Sequence, residues 1–342
     1  MRRILVVEPK HIGDVVLAIP FLAQLRARFP KSKTTLLSAP HAKEILDGMG
    51  LVDEFIETDL GWTERATKYN PFGYNWRELW RLKRELQDRE FDLAFKCCMH
   101  IREHVVMGLS GAERRIGYAF GEGDNVLTDA IPVADPDRHK VDDWLLLLKP
   151  FGGAAKIEVP RLRVAGAERR WADQFLLKRG VSRDETVIGI HPGASVAEKR
   201  WPLERFREVG EVLSERGNMR ILVLVDPAGY GVSLGEIPGA ITAQVGLREL
   251  IALIERSSLL VCNDSGPMHI AGALGVPTVA VFGSGIEQWF SPLGEGHQLL
   301  TLEKTPAKQS ERNSSVKPFD IAGLTTSQVL AAVDRVLRAN RN

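Results

Sequence analysis

The chain has 342 residues, of which 44% are hydrophobic and 26% are charged. That length fits two domains of roughly 150 residues each, and the composition is typical of a soluble globular protein. Lysine and arginine number 45 against 44 aspartates and glutamates, so the net charge is +1. Overall charge therefore gives no reason to expect nucleic-acid binding, and contact with a membrane would need a local basic patch.

The N-terminal sequence does not follow the pattern of a signal peptide, because the apolar stretch after Arg3 is short and ends at Glu8. The longest uncharged segment, residues 265–286, contains glycines and prolines and predicts a helix and a strand rather than a membrane span. The three cysteines lie in apolar stretches without metal-ligand spacing. Buried, reduced thiols are favoured over a thiol switch at residues 97–98, so we expect a cytoplasmic protein.

Apolar runs of strand length alternate with helical stretches through the first half of the chain. In chain order, the pattern predicts a strand at 4–7, a helix at 14–29, a strand at 34–38, a helix at 41–49 and a strand at 92–96. The polar, aromatic segment 61–74 lacks periodicity and predicts a functional or mobile loop. An arginine-rich amphipathic helix begins after it, at Trp76.

The second half repeats this alternation. The pattern predicts strands at 186–191, 220–225, 258–262 and 277–282, separated by helices at 203–216, 247–256 and up to residue 275. We therefore expect an α/β protein with two Rossmann-like, doubly wound domains that face a central cleft. The expected divisions are an N-terminal domain at 1–165, a linker helix at 166–182, a C-terminal domain at 183–325 and a final helix at 326–342, free to pack back on the N-terminal domain.

The connection between the first strand and the first helix contains Gly13 and Asp14. Gly13 permits a tight turn, and Asp14 is predicted at or near the helix N-cap, facing the cleft. A short acidic side chain in this position can simply cap the helix, or its carboxylate can act as a general base. Local spacing leaves both roles open.

Small and basic residues follow the strand at 186–191. Gly193 would let phosphate approach the backbone, Ser195 offers a hydroxyl, and Lys199 and Arg200 supply positive charge. The alternative is a solvated basic pair in front of a helix that starts with proline. Phosphate binding is favoured because a second anion-binding pattern lies in the same half of the chain.

That second pattern is the polar turn Asp264-Ser-Gly266, which joins the strand at 258–262 to a helix of small residues carrying His269. A helix N-terminus presents unpaired N–H groups and the positive end of the helix dipole. It also lies at the carboxyl end of a strand, where open α/β sheets bind their ligands. The turn therefore predicts a site for a phosphorylated ligand.

Other nucleotide and metal sites are disfavoured. The glycines at 229–235 resemble a dinucleotide fingerprint, but their final spacing is wrong and no acidic residue ends a following strand. This poor fingerprint is the only support for a nicotinamide-dependent oxidoreductase. No P-loop sequence is present, and the histidines lack the spacing of zinc ligands, so we expect no metal and no cofactor.

Together, these blocks resemble the heptosyltransferase family of inverting glycosyltransferases, glycosyltransferase family 9. The matching segments occur in family order and are residues 3–7, 12–20, 191–195, 199–202, 260–269 and 279–283. The resemblance implies a GT-B architecture and transfer of a heptose from an ADP-activated donor to a lipid-linked acceptor of the lipopolysaccharide core, or to another glycan, without a metal. The nucleotide-sugar is then a substrate and not a cofactor.

The resemblance also implies roles for individual residues. Asp14 corresponds to the general base, and Lys199 to the lysine on the donor diphosphate, with Ser195 and Arg200 beside it. Asp264, Ser265 and Gly266 correspond to the phosphate-binding turn, with His269 nearby. The segment 226–235 departs from the family's glycine-rich, acidic turn, which leaves a non-catalytic nucleotide- or sugar-binding relative as the alternative. Residues 305–317 also lack the cysteines that many members carry.

The acceptor is expected on the N-terminal half. Arg77, Arg81 and Arg115 are candidates for its phosphates, and Trp76 and Trp80 for the interface of the inner membrane at its cytoplasmic face. An ordinary amphipathic helix explains the same residues, because nearby acidic residues almost cancel the arginines. Both interpretations remain open at this point.

Overall fold

The computed structural model describes residues 1–8, 11–58, 75–97, 101–121, 123–133, 138–152, 158–283, 287–302 and 321–339. The chain divides into two units, Met1–Glu158 and Val159–Asn342. The predicted loop at 61–74, Cys98 and the segment 305–317 lie outside the described residues. No helix in the described ranges combines the length and apolar character that crossing a bilayer requires.

The first unit is built on six parallel strands in the order β3-β2-β1-β4-β5-β6. The strands are β1 (Arg3–Glu8), β2 (Lys33–Ser38), β3 (Glu54–Glu57), β4 (Leu93–Lys96), β5 (Arg114–Ala119) and β6 (Asp129–Pro132). The helices are α1 (Ile12–Arg28), α2 (His41–Ile45), α3 (Trp76–Gln87), α4 (Ile101–Leu109) and α5 (Lys140–Leu146). Both faces of the central strands are covered, which explains their continuous apolar sequences.

Sequence patterns identified β1, β2 and β4 but not β3, β5 and β6. The last two carry charged or polar residues, such as Arg114 and Asp129, which pair with each other at 2.5 Å across the sheet edge. The predicted helix at 41–49 ends already at Ile45. Gly48 and Gly50 then both adopt φ near +66°, a conformation that a continuing helix cannot contain.

The second unit repeats the arrangement with the order β12-β11-β10-β7-β8-β9. Its strands are β7 (Thr186–His191), β8 (Met219–Leu224), β9 (Ile241–Ala243), β10 (Leu259–Asn263), β11 (Thr278–Phe282) and β12 (Gln298–Thr301), all parallel. Its helices are α6 (Gly166–Leu177), α7 (Leu203–Ser214), α8 (Leu247–Arg256), α9 (Gly266–Leu274), α10 (Glu287–Phe290) and α11 (Thr326–Ala339). In each unit the first strand lies beside the fourth, so β1 pairs with β4 and β7 with β10.

Two helices differ from their expected placement. The proposed linker helix is α6, which lies within the second unit and is tied to α8 by the ion pairs Arg169–Glu255 and Arg248–Glu168, both 2.7 Å. The C-terminal helix α11 was expected to pack back on the N-terminal domain. Instead, its residues Val329, Ala332, Val333 and Val336 are buried in the core of the second unit. The apolar stripe that identifies an amphipathic helix does not say which sheet it covers, so sequence could not decide this.

Candidate functional site

The two turns singled out in the second half leave neighbouring strands at the same edge of one sheet. His191, the last residue of β7, is in register with Cys262 of β10. The turn after β7 and the turn after β10 therefore start side by side. This is also the point where the strand order reverses, which is where doubly wound sheets form their ligand crevice.

Asn263 holds these turns together. It is the last residue of β10 and is fully buried. Its side-chain oxygen accepts a hydrogen bond from the Trp201 backbone N–H at 3.1 Å, and its amide nitrogen donates to the Pro192 carbonyl at 2.6 Å. Trp201 is buried as well, and its indole N–H donates to the Leu324 carbonyl at 3.0 Å. Both ends of the segment from Pro192 to Trp201 are thus fixed to the end of β10.

Lys199 and Asp264 form an ion pair across the two turns, with 2.6 Å between Nζ and Oδ2. The Asp264 side chain is only 4% exposed, whereas the Lys199 side chain is 25% exposed. Asp264 is anchored in turn by its backbone N–H, which donates to the Val281 carbonyl at 3.1 Å. The buried carboxylate therefore positions an ammonium group that still reaches solvent.

The N-terminus of α9 completes this part of the site. Ser265 is its N-cap, with an extended backbone, and Gly266 and Pro267 open the first turn. The Ser265 hydroxyl is buried and has no hydrogen-bond partner among the described residues. Helix-terminal N–H groups and a spare hydroxyl beside a lysine are the donors that bind an anion such as phosphate. His269 lies one turn further along α9, is 6% exposed, and meets the Phe290 ring edge to face at 6.4 Å.

Gly193 is required for close packing within the site. A Cβ atom here would lie 2.9 Å from His191 Cε1 and 3.1 Å from Asp226 Oδ2. His191 is buried, and loss of solvent lowers the pKa of its imidazole to about 4, although the nearby Asp226 carboxylate opposes that shift. The close contact between the turn and a neutral histidine thus depends on the missing side chain of Gly193.

Arg200 stabilises the turn instead of pointing a free charge at a ligand. Its Nε and Nη2 atoms both donate to the Ala194 carbonyl, at 3.0 and 2.9 Å, and its guanidinium lies 4.4 Å from the centre of the Tyr230 ring. Ser195, which follows Ala194, is exposed. Of the four candidates on this segment, Ser195 is exposed and Lys199 reaches solvent, whereas Gly193 and Arg200 hold the segment in shape.

The segment 226–235 forms a third turn at the same sheet edge. The Asp226 side chain accepts a hydrogen bond from the Tyr230 backbone N–H at 2.9 Å, which closes the turn after β8. Gly231 has φ of +93°, and a Cβ atom there would lie 2.4 Å from Pro192 Cγ. Sequence reasoning treated these residues as a failed fingerprint and as a departure from the family pattern, and it missed the role of Asn263. The sequence signal for this turn is Gly229-Tyr-Gly231, which follows β8, the strand that pairs with β7.

In the first unit, Asp14 lies at the third position of α1, not at the N-cap. Its carboxylate accepts a long hydrogen bond, 3.4 Å, from the backbone N–H of the N-cap residue His11. Gly13 is therefore a buried residue of the first helical turn and does not form the preceding tight turn. The helix starts two residues earlier than predicted because Asp14 bonds back to its own N-cap. Asp14 as a whole remains partly exposed.

The three arginines expected near an acceptor are not brought together as one group. Arg81 binds Glu78 and Glu85 on its own helix, and these hydrogen bonds and charges raise the pKa of its guanidinium. Arg115 donates to the carbonyls of Val126 and Ala112, both at 2.5 Å. Arg77 is exposed on α3.

Replacing Asn263 tests its role as the link between the turns. Asn263→Ala removes both hydrogen bonds and leaves a buried N–H and a buried carbonyl unpaired, so we expect the free energy of unfolding to fall by about 2–5 kcal/mol. Asn263→Asp keeps the acceptor for the Trp201 N–H but loses the donor to the Pro192 carbonyl, so it should also lower the free energy of unfolding. The exposed Asn218→Ala is the matched control, with an expected change below about 0.5 kcal/mol in urea denaturation. Equal unfolding midpoints for Asn263→Ala and Asn218→Ala would contradict the assignment.

The low pKa of His191 predicts a pH dependence of stability. Unfolded His191 binds a proton near pH 6.5, whereas the folded residue stays neutral down to about pH 4. The contribution of neutral His191 to the free energy of unfolding is therefore complete above about pH 6.5 and is lost as the pH falls. Between about pH 7.5 and about pH 5 the loss should be about 2 kcal/mol. Urea titrations of the wild type and of His191→Gln measure this, and parallel pH profiles would disprove it.

Comparisons with known proteins show the family of the chain. The family model "Glycosyltransferase family 9 (heptosyltransferase)" matches residues 79–319. Lipopolysaccharide heptosyltransferase 2 of Escherichia coli is 25% identical over 327 residues and 88% of each chain, and that of Salmonella typhimurium is 26% identical over 322 residues and 88% of each chain.

Solved structures show the same fold and confirm the expected GT-B architecture of two Rossmann-like units. A glycosyl transferase family 9 protein from Veillonella parvula has a TM-score of 0.83 at 23% identity, over 99% of this chain and 98% of its own. The ADP-heptose lps heptosyltransferase II of E. coli has a TM-score of 0.75 at 21% identity over all of both chains. Because the family model covers well over half of the sequence, the chain belongs to glycosyltransferase family 9, the heptosyltransferases.

Proposed function

We propose that this protein transfers a heptose, or a related sugar, from an ADP-activated donor to an acceptor of the lipopolysaccharide core or another glycan. The observation that carries the proposal is the Lys199–Asp264 pair beside the N-terminus of α9, at the reversal of strand order. Relatives over most of the chain are lipopolysaccharide heptosyltransferases, and a structural neighbour with TM-score 0.72 is a heptosyltransferase with ADP.

The donor diphosphate would lie between Lys199 and the first turn of α9. An ammonium group has three N–H donors, and Asp264 occupies one, so two remain for phosphate oxygens. The Ser265 hydroxyl and the N–H groups at Ser265 and Gly266 supply further donors, and the exposed Ser195 hydroxyl lies on the Lys199 segment. Fixed donors of this kind stabilise the charge that develops on a departing diphosphate.

Asp14 is the proposed general base. As the acceptor hydroxyl attacks the anomeric carbon, its proton passes to the Asp14 carboxylate and a new C–O bond forms. The bond between the anomeric carbon and the diphosphate oxygen breaks on the opposite face, and its electron pair leaves with the diphosphate. The configuration at the anomeric carbon is therefore inverted.

We propose that the reaction does not require a divalent cation, because Lys199 and the backbone N–H groups perform the charge neutralisation that a metal would otherwise supply. In the ranges that the structure describes, no group of three or more metal-ligating side chains is found. Activity that survives chelation with EDTA is the expected result.

A non-catalytic relative that only binds the nucleotide or sugar is the second candidate. The departure of residues 226–235 from the family pattern favours it, although Asp226 and Gly231 form an ordered turn packed on Pro192. Binding without turnover distinguishes it from the transferase.

Lys199→Ala tests the donor site. Removing a charged hydrogen-bond donor, and leaving Asp264 without its partner, should weaken ADP binding about 10- to 100-fold in calorimetric titration without metal. Lys178→Ala, at an exposed position of the same unit, is the control and should bind like the wild type. The double variant Lys199→Ala/Asp264→Asn shows how much of the loss is repulsion by the freed carboxylate. Unchanged affinity in Lys199→Ala would place the diphosphate elsewhere.

Asp14→Asn tests the base. The amide keeps an acceptor for the His11 N–H, so the helix start survives, but it cannot accept the acceptor's proton. Turnover of ADP-heptose with lipopolysaccharide core acceptor should fall about 10²- to 10⁴-fold while ADP affinity stays constant. Asp47→Asn, exposed in the same unit, is the matched control. An Asp14→Asn enzyme with normal turnover would rule out the assignment, and a wild type that binds ADP but does not transfer would favour the non-catalytic candidate.

A further inference from the structure

Helix α3 of the first unit packs through one face and exposes another of unusual composition. Leu82 and Leu86 are fully buried in the core of the first unit, and Leu79 packs against them. With 100° between successive residues, Trp76, Arg77, Trp80 and Arg84 lie outside this leucine face.

The acidic residues of α3 are confined to one flank. Arg81 donates to Glu78 through Nε at 2.8 Å and to Glu85 through Nη1 at 2.6 Å. The other oxygen of Glu85 accepts from Arg89 at 3.0 Å. The hydrogen bond from Arg81 also lowers the pKa of Glu78, so that carboxylate stays ionised and paired. Both carboxylates of the helix are therefore engaged away from its outward face.

What remains outward is a strip that we call the Trp/Arg stripe, consisting of Trp76, Arg77, Trp80, Lys83, Arg84 and Gln87. The stripe itself contains three cations, and the exposed Asp88, the C-cap residue of α3, follows it. Trp76 is 51% exposed and Trp80 66% exposed, which makes them two of the few large apolar side chains that the described surface exposes. The Lys83 ammonium lies 5.1 Å from the centre of the Trp80 ring.

We propose that the Trp/Arg stripe docks on an anionic lipid bilayer. Tryptophan is favoured at the membrane–water interface, where its ring is buried and its N–H stays hydrated. Lysine and arginine beside it attract anionic headgroups. The stripe thus matches the negative, amphipathic surface of a bilayer in both charge and polarity, while the leucine face keeps α3 attached to the domain.

The size of the stripe argues for lipid over a protein partner. A helix of 12 residues is about 18 Å long and about 10 Å wide, so it presents roughly 180 Å². A stable protein interface buries about 800 Å² on each side. A bilayer needs no such matched area, because each side chain inserts or pairs with headgroups independently.

Vesicle co-sedimentation without donor or acceptor tests this inference, and its outcome is independent of the proposed transfer reaction. The wild type should bind vesicles of equal parts phosphatidylglycerol and phosphatidylcholine at low salt, and binding should weaken as salt is added. A basic residue near an anionic surface contributes about fivefold, so Arg77→Gln/Arg84→Gln should reduce partitioning about 25-fold.

Matched variants of the second unit separate the stripe from general surface effects. Arg170→Gln/Arg338→Gln makes the same charge change at exposed positions of α6 and α11 and should bind like the wild type. Leu177→Ser, at 66% exposure, is the control for Trp80→Ser, which should bind more weakly. Equal partitioning of the stripe and control variants, or equal binding to vesicles of phosphatidylcholine alone, would overturn the proposal.

Discussion

The buried side chain of Asn263 is the interaction on which the second unit's site depends. The side-chain amide of this one residue, at the end of β10, forms hydrogen bonds with the Pro192 carbonyl and the Trp201 N–H. Pro192 begins the segment that carries Lys199, and Trp201 ends it. A buried amide can make these bonds at low cost because both of its ends are paired. With the segment fixed, Lys199 reaches Asp264 on the next turn, and a cation is held beside the N-terminus of α9.

The topology explains why this arrangement arises where it does. Each unit has its first strand beside its fourth, and this reversal of strand order is where doubly wound sheets form a ligand crevice. The first unit also buries polar groups at this reversal. Glu8 ends β1 at 1% exposure, and Lys96 ends β4 fully buried, with its ammonium 5.2 Å from the Phe120 ring. Burying charge is costly, and such residues are concentrated where a protein binds or reacts.

Glycines and arginines in this protein show how one residue type serves different purposes. Gly193 and Gly231 are both needed for close packing between turns, since a Cβ atom would collide with His191 in one case and with Pro192 in the other. Arg200 donates its hydrogen bonds to a backbone carbonyl, and Arg81 pairs with two glutamates. Arg77 and Arg84, in contrast, remain exposed on the outward face of α3. The number of basic residues in a segment therefore says little about how many can meet a ligand.

The sequence by itself determined the α/β class, the central strands and the position of the turns after β7 and β10, because apolar periodicity and turn chemistry are local properties. It also identified Asp14, Lys199 and Asp264 as candidates. Only the tertiary structure decided that Lys199 pairs with Asp264, that Arg200 and Gly193 shape their turn, and that α11 belongs to the second unit's core. These outcomes depend on contacts between residues as much as 123 positions apart, such as Trp201 and Leu324. Such pairings follow from strand order, which local patterns do not encode.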